Sequence, residues 1–418
     1  MRCWWLRCAR LLVAISFVGC LLAQAQPARA TEEPATYVPD EVIVRLIPPL
    51  LGSVETLIQT IASQFGLQVV DRLGTLPVFR LKIIRNVLSP PALAGLLDAL
   101  PAVLYAEPNF LGQSPEGVAR SSWSRGGDEG GIASQWAPSK IRLDEAHTIS
   151  RGAGIVVAVL DTGADLDHPA LAGHLAPGYD FVGLDADPSE EGAYGQDIAY
   201  GHGTHVAGLV ALAAPEATIV PLRILRPDGS GDSWVLAQAL RYAVGLPVAG
   251  ITPLGHNADV INISYSVRQR SLLLDDVLGL LAALPGGPVV VAAAGNRGPS
   301  TAKEYPAGES TPGVLAVAAS TEADTLADFS TRGSWVDVAA PGENILSSVP
   351  DNDYGVWSGT SMAAPLAAGV AALVRARYPS FNPAQVTGRI ISQAHGIDAS
   401  VSRRVDAAAA LGLPAAGG

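Results

Sequence analysis

Beyond Gln135 the chain alternates two kinds of apolar segment. Short runs rich in β-branched residues (GIVVAVLD, ATIVPLRIL, ADVINISYS, PVVVAAAGN, GVLAVAAS) are separated by longer runs with helical spacing, such as THVAGLVALA, SWVLAQALRYAVG and SLLLDDVLGLLAAL. A strand that is apolar on both faces must be covered on both, and helices lying between successive strands supply that cover. The pattern predicts an α/β fold with a mostly parallel central sheet and helices on both faces. Polar residues gather where these strands end, at Asp161, Asn262 and Asn296. Open α/β sheets bind ligands at the carboxyl ends of their strands, so these positions are the first candidates for a site.

A different pattern precedes it. DEVIVRLI alternates like a strand, VETLIQTIASQFG has helical spacing and stops at Gly66, LQVVDRL and VFRLKII read as strands, PALAGLLDAL as a helix, and AVLYAEPNF as a last strand. The order β-α-β-β-α-β is that of a small α+β ferredoxin-like module, assigned to residues 31–111. Residues 112–134 are polar, rich in Gly and Ser and without apolar period, and read as a flexible linker. Residues 135–418 make the large domain.

The first 30 residues have their own logic. Arg2, Arg7 and Arg10 precede the uncharged run LLVAISFVGCLLA, and small-residue patterns AQA and ARA follow. This layout predicts a secretory signal peptide over 1–30 and a secreted protein, with a membrane or lipid anchor as the alternative. All three cysteines (Cys3, Cys8, Cys20) lie inside it. A chain cut after it would hold no disulfide, thiolate metal site or catalytic cysteine. The formal net charge is −12. Through Ser124 the chain holds 10 basic and 9 acidic residues, and 17 and 30 follow, so the large domain carries the acidity. Such a surface disfavours nucleic acid as a partner.

Four segments could carry chemistry. Asp161 ends an apolar strand, where a carboxylate is costly unless paired. GHGTHVAG places His202 and His205 at a helix start; it lacks the Glu of H-E-x-x-H and the Lys-Ser/Thr of a phosphate loop. His205 reads as a packing residue. Asn296, in AAAGN, is either a turn residue or a carboxamide able to donate to a developing oxyanion. Ser361, in GTSMAAP, is either a helix N-cap or a nucleophile at a helix N-terminus. No G-x-S-x-G elbow is present, which argues against an α/β-hydrolase.

Taken together, VAVLDTGADLDHP, GHGTHVAG, AAAGN and GTSMAAP resemble, in order and approximate spacing, the four motif regions of the subtilisin-like serine proteases (subtilases, peptidase S8). The resemblance covers roughly residues 135–397, and the module ending LYAEPN looks like that family's propeptide, a folding chaperone and temporary inhibitor. It implies a serine endopeptidase made as a self-processing precursor and cut between Leu111 and Ser134. The alternative is an inactive binding or scaffold protein of the same fold. By the resemblance Ser361 is the nucleophile, His202 the proton carrier and Asp161 its orienting carboxylate. Asn296 and the Ser361 N–H form the oxyanion hole. Gly229, Ser230 and Gly231 in PDGSGD, and Ser264, Tyr265 and Ser266 where the family has Ser-Leu-Gly, would pair with substrate backbone. Gly295 would line the floor of the P1 pocket. Arg297, where the family often has an acid or a small residue, would border that pocket and disfavour Lys or Arg at P1. Leu366 and Ala367 replace the family's His and Val. Catalysis needs no cofactor. The family's best-known calcium ligands are missing, with Ala170 at one of them, and Asp185 and Asp187 in DFVGLDADPSEEGAYGQD are the candidate ligands for a structural calcium. The implied partners are protein or peptide substrates and the chain's own propeptide, with the mature protein a monomer.

Overall fold

The structure, a computed structural model, describes residues 36–50, 52–119, 123–397 and 403–415. The signal segment assigned to 1–30 lies outside them. Among the described residues no helix is long and apolar enough to cross a membrane.

The large domain is built on a nine-stranded sheet. From one edge its strands are His395–Gly396, Arg403–Arg404, Val338–Pro341, Val314–Ser320, Val289–Ala293, Val260–Ile263, Val156–Asp161, Thr218–Arg223 and Tyr179–Asp180. All pairings are parallel except the one at the His395 edge. The period of two along a strand sorts its residues onto the two faces. Val157 and Val159 join the core that holds helices His202–Ala213 and Thr360–Arg377. Ala158 and Leu160 join the core under helices Ser233–Ala243 and Leu272–Ala283. Each fully buried Val or Leu contributes about 1.5–3 kcal/mol, and both faces are filled this way. The parallel sheet covered on both faces is therefore as expected.

The run of small residues in Thr360–Arg377 has a specific neighbour. A Cβ on Gly369 would lie 2.2 Å from the Cβ of Ala213, so this helix and His202–Ala213 cross in backbone contact. The crossing fixes how the two helices pack, and their first turns carry His202 and Ser361.

The N-terminal module forms strands Tyr37–Leu46, Leu67–Arg72, Val78–Ile83 and Val103–Gln113, with helices Val54–Phe65 and Pro90–Asp98. The order is the expected β-α-β-β-α-β. The strands are antiparallel neighbours, and the last one continues onto Ser230–Asp232 of the large domain. Side chains of the last strand cap two helices beneath it. Glu107 accepts from the Leu272 and Leu273 N–H groups (2.8 and 3.1 Å) and from Ser271 Oγ (2.7 Å). Asn109 Oδ1 accepts from Trp234 N (3.1 Å) and Ser233 Oγ (3.0 Å). A helix start leaves N–H groups without partners, so each cap satisfies donors that would otherwise be stranded at the interface.

Residues 112–134, expected to be a flexible linker, carry structure where they are described: helix Pro115–Ala119, strand Ser124–Arg125 and helix Glu129–Ser134. Two buried side chains hold the segment down. Trp123 is buried with its Nε1 donating to Tyr200 O at 2.7 Å, and Glu116 is fully buried. One aromatic and one carboxylate in a polar run give no periodicity, so the pattern that marks a linker could not register them.

Candidate active site

Asp161 ends its strand with its carboxylate buried, and Oδ1 lies 2.6 Å from His202 Nδ1. The Thr162 N–H donates to the same oxygen at 2.8 Å. Gly201, with φ 84°, turns the chain into the helix that starts at His202. Beside His202, Gly203 packs so closely on Gly163 that a Cβ would fall 2.0 Å from the Gly163 carbonyl, and this close approach brings the helix start to the Asp161 strand end. The Trp357 ring stands edge-on to His202 at 5.1 Å between centroids.

Ser361 is not the N-cap. That position is Gly359, and Ser361 lies inside the first turn. Pro365 has no N–H to give the Ser361 carbonyl four residues back. Ser264 Oγ donates there instead at 3.4 Å. Asn296 is held with its amine facing the cleft: its Oδ1 accepts from Thr360 N and from Thr360 Oγ1, both at 2.9 Å. Sequence reasoning missed Thr360. Its place just before Ser361 in GTSM was the available signal.

His202, Ser361 and Asn296 converge on one carboxylate, that of Glu116. Its Oε2 accepts from Ser361 Oγ at 2.7 Å and lies 2.8 Å from His202 Nε2, while Oε1 accepts from Asn296 Nδ2 at 3.0 Å. A Cβ on Gly359 would land 1.7 Å from Glu116 Oε1, so only glycine leaves room for an oxygen there. Burial alone would push His202 down, but the charges of Asp161 and Glu116 and the hydrogen bonds to both raise it to about 10. Burial likewise opposes ionisation of Glu116, yet the charge and hydrogen bond of His202 and the bond from Ser361 hold it below the usual carboxylate range. His205 is different: its Nε2 lies between the Ile345 and Gly355 carbonyls, and burial followed by the His202 charge lowers it to about 3, so it packs as a neutral ring. No signal in the sequence marked Glu116.

The strand that precedes Glu116 fills a groove. Leu111, Gly112 and Gln113 pair antiparallel with Asp232, Gly231 and Ser230. On the other side Gln113 exchanges two backbone hydrogen bonds with Ser266 (3.0 and 3.1 Å), and Ser114 N donates to Gly229 O at 2.9 Å. So Gly229, Ser230, Gly231 and Ser266 do pair with an extended chain. Ser264 supports Ser361 from behind instead, and Tyr265 is buried under Gly112. A Cβ on Gly112 would meet the Tyr265 hydroxyl and Cζ at 2.6 Å and the Ser266 carbonyl at 2.3 Å. Gly295, with φ 99°, lies against Glu304, whose carboxylate a Cβ at 295 would meet at 2.5 Å. Glu304 is buried, forms an ion pair with Arg297 at 3.0 Å and accepts from Ser266 Oγ at 2.5 Å. Burial raises it above the usual carboxylate range against the pull of Ser266 and Arg297.

The proposed calcium ligands behave differently. Asp185 Oδ1 accepts from Asp187 N, and Asp187 Oδ1 accepts from Ser189 N and Oγ, so both carboxylates close their own turns. Among the described residues no group of three or more His, Cys, Asp or Glu could hold a metal.

Comparison with known proteins agrees with this architecture. Residues 152–411 match the model of the subtilase family, and residues 23–109 that of the fervidolysin N-terminal prodomain. The chain is 37% identical over 309 residues to a thermophilic serine proteinase of Bacillus sp. (strain AK1), covering 71% of this chain and 69% of that one. It is 39% identical over 250 residues to thermitase of Thermoactinomyces vulgaris, covering 57% and 81%. The crystal structure of fervidolysin from Fervidobacterium pennivorans superposes with a TM-score of 0.72 over 93% of this chain and 62% of that one; at 24% identity this is a likeness of fold. The chain therefore belongs to the subtilase family of serine endopeptidases and carries a fervidolysin-type prodomain ahead of its protease domain.

Proposed function

We propose that the protein is a secreted, self-processing endopeptidase that cleaves peptide bonds through Asp161, His202 and Ser361. The observation that carries this reading is the convergence of His202 Nε2, Ser361 Oγ and Asn296 Nδ2 on one pair of oxygens. A tetrahedral intermediate needs a base, a nucleophile and an oxyanion donor around one such point. Ser361 Oγ attacks the scissile carbonyl, and its proton passes to His202 Nε2. Asp161 holds Nδ1–H and stabilises the imidazolium. Asn296 Nδ2 and the Ser361 N–H, a first-turn donor with no intrahelical acceptor, receive the oxyanion. His202 then protonates the leaving amine, and water hydrolyses the acyl-enzyme by the same steps. A fluorophosphonate should label the mature enzyme at Ser361 and leave Ser361→Ala unlabelled. An unlabelled mature enzyme would favour the inactive scaffold of the same fold.

Substrate pairs by strand addition along the path that residues 111–114 follow, where backbone supplies affinity and side chains supply selection. Over Tyr265 that path admits glycine. A peptide copying residues 110–114 should inhibit the mature enzyme, and alanine at the Gly112 position should weaken it about tenfold, the scale of a forced overpacking. Equal inhibition by the two peptides would remove this assignment. At the P1 floor Arg297 neutralises Glu304 and disfavours Lys or Arg. Arg297→Ala leaves a buried carboxylate that a cationic P1 residue can pair, so cleavage after Arg relative to Phe should rise roughly tenfold. An unchanged Arg/Phe ratio would assign P1 selection elsewhere.

A further inference from the structure

We propose that the precursor's catalytic centre is a carboxylate-binding site with Glu116 as its resident ligand, and that this contact is a latch whose release permits self-processing. The inference rests on the serine-hydrolase reading above. It differs from simple occupation of the substrate groove. A docked strand that reached the centre as a substrate does would present a backbone carbonyl to Ser361. Here the strand ends at Gln113, the chain turns into the short helix Pro115–Ala119, and a side chain enters the centre instead.

The latch blocks the reaction in three ways. Glu116 Oε1 takes the Asn296 donor that an oxyanion would need. Oε2 accepts the hydrogen bond of the Ser361 hydroxyl, so the hydroxyl points at Glu116 and not at His202. The third effect concerns the base. His202 has a carboxylate at each ring nitrogen, Asp161 at 2.6 Å and Glu116 at 2.8 Å. Two anionic acceptors call for a proton on both nitrogens, and an imidazolium cannot accept the proton of Ser361. The whole arrangement is fully buried, where paired charges are held most strongly.

The same charges make the latch sensitive to pH. The titratable groups that face His202 are Glu116 from its short helix, Asp161 from the neighbouring strand end and His205 from the next turn. Glu190 stands behind them, accepting from Thr162, Thr204 and Gly201; burial raises it to about 7 against the Thr204 bond, with the Asp161 charge adding to the rise. His205 stays neutral. His202 is raised in the latched state, so its contribution is complete below the ordinary histidine range and is lost progressively as pH rises from there to about 10. Glu116 is lowered, so its contribution holds above the ordinary carboxylate range and fails only in acid. Alkali therefore opens the latch, and in doing so deprotonates the base that self-cleavage requires.

The test is fluorophosphonate labelling of the full-length precursor, read as label at the uncleaved mass, with the mature enzyme as reference. At pH 7 Glu116→Gln and Glu116→Ala precursors should label roughly tenfold or more faster than wild type, the scale of losing charge-assisted hydrogen bonds. For wild type the ratio of precursor to mature labelling rates should climb from pH 7 to pH 10, a reading that needs no variant and stands even if the substitutions hinder folding. Variant precursors that label at the wild-type rate beside a rapidly labelled mature enzyme would overturn the latch and leave the hydrolase reading intact. So would a ratio constant with pH. A mature enzyme that takes no label would overturn both.

Discussion

Ser361→Ala should lower kcat/KM on the order of a millionfold and leave the chain uncut at its precursor mass. The size follows from how the three side chains act. Nucleophile, base and orienting carboxylate work as one unit, so removing the nucleophile forfeits nearly all that the unit contributes. On the proposed mechanism, what should survive is the positioning of substrate along the strand that Leu111–Gln113 pairs with, and the donors of the oxyanion hole. The fold should not suffer, because among the described residues Ser361 Oγ bonds only to Glu116, and alanine continues a helix of small and apolar buried residues. An unchanged melting temperature with activity gone separates loss of chemistry from loss of structure. A Ser361→Ala protein that still loses its prodomain without added protease would refute self-processing.

Asn296→Ala should lower kcat by roughly 10²–10³, about 2.7–4 kcal/mol of transition-state stabilisation, with KM for a good peptide substrate nearly unchanged. The amide is fixed in advance: with Oδ1 held by Thr360 N and Oγ1, Nδ2 cannot swing away from the cleft and meets developing charge without reorganising. Alanine also strands the buried Thr360 N–H, so stability should fall by about 1–3 kcal/mol, a separate effect read from the melting temperature. A fall in kcat/KM carried entirely by KM would assign Asn296 to substrate binding.

The parts that could be read early share a physical property, which is that they are local or periodic. Val156–Asp161, Val260–Ile263 and Val289–Ala293 announce a sheet buried on both faces because every residue in them is apolar or small except Asp161 and Asn262. Asp161, His202, Asn296 and Ser361 could be picked out because each interrupts such a run with a group that needs a partner. Gly229, Ser230, Gly231 and Ser266 were legible as an edge. That Ser264 faces away to hold the Ser361 carbonyl was not, since it depends on what Pro365 leaves unpaired in another element.

What escaped are contacts between segments distant in sequence. Glu116 lies 245 residues from Ser361 and 86 from His202, in a stretch whose composition says only linker. Glu304 gives Gly295 its neighbour and Arg297 its charge partner, and Thr360 orients Asn296 from 64 residues away. By itself the sequence determined the α/β architecture, the β-α-β-β-α-β module before it and the four polar positions of the centre, because periodicity and the cost of burying polar groups act along the chain. Only the tertiary structure decided which carboxylate those positions hold, which glycine passes over Tyr265 and which ion pair lies against Gly295. A charge finds its partner by position in space, and the composition of the intervening chain carries no record of it.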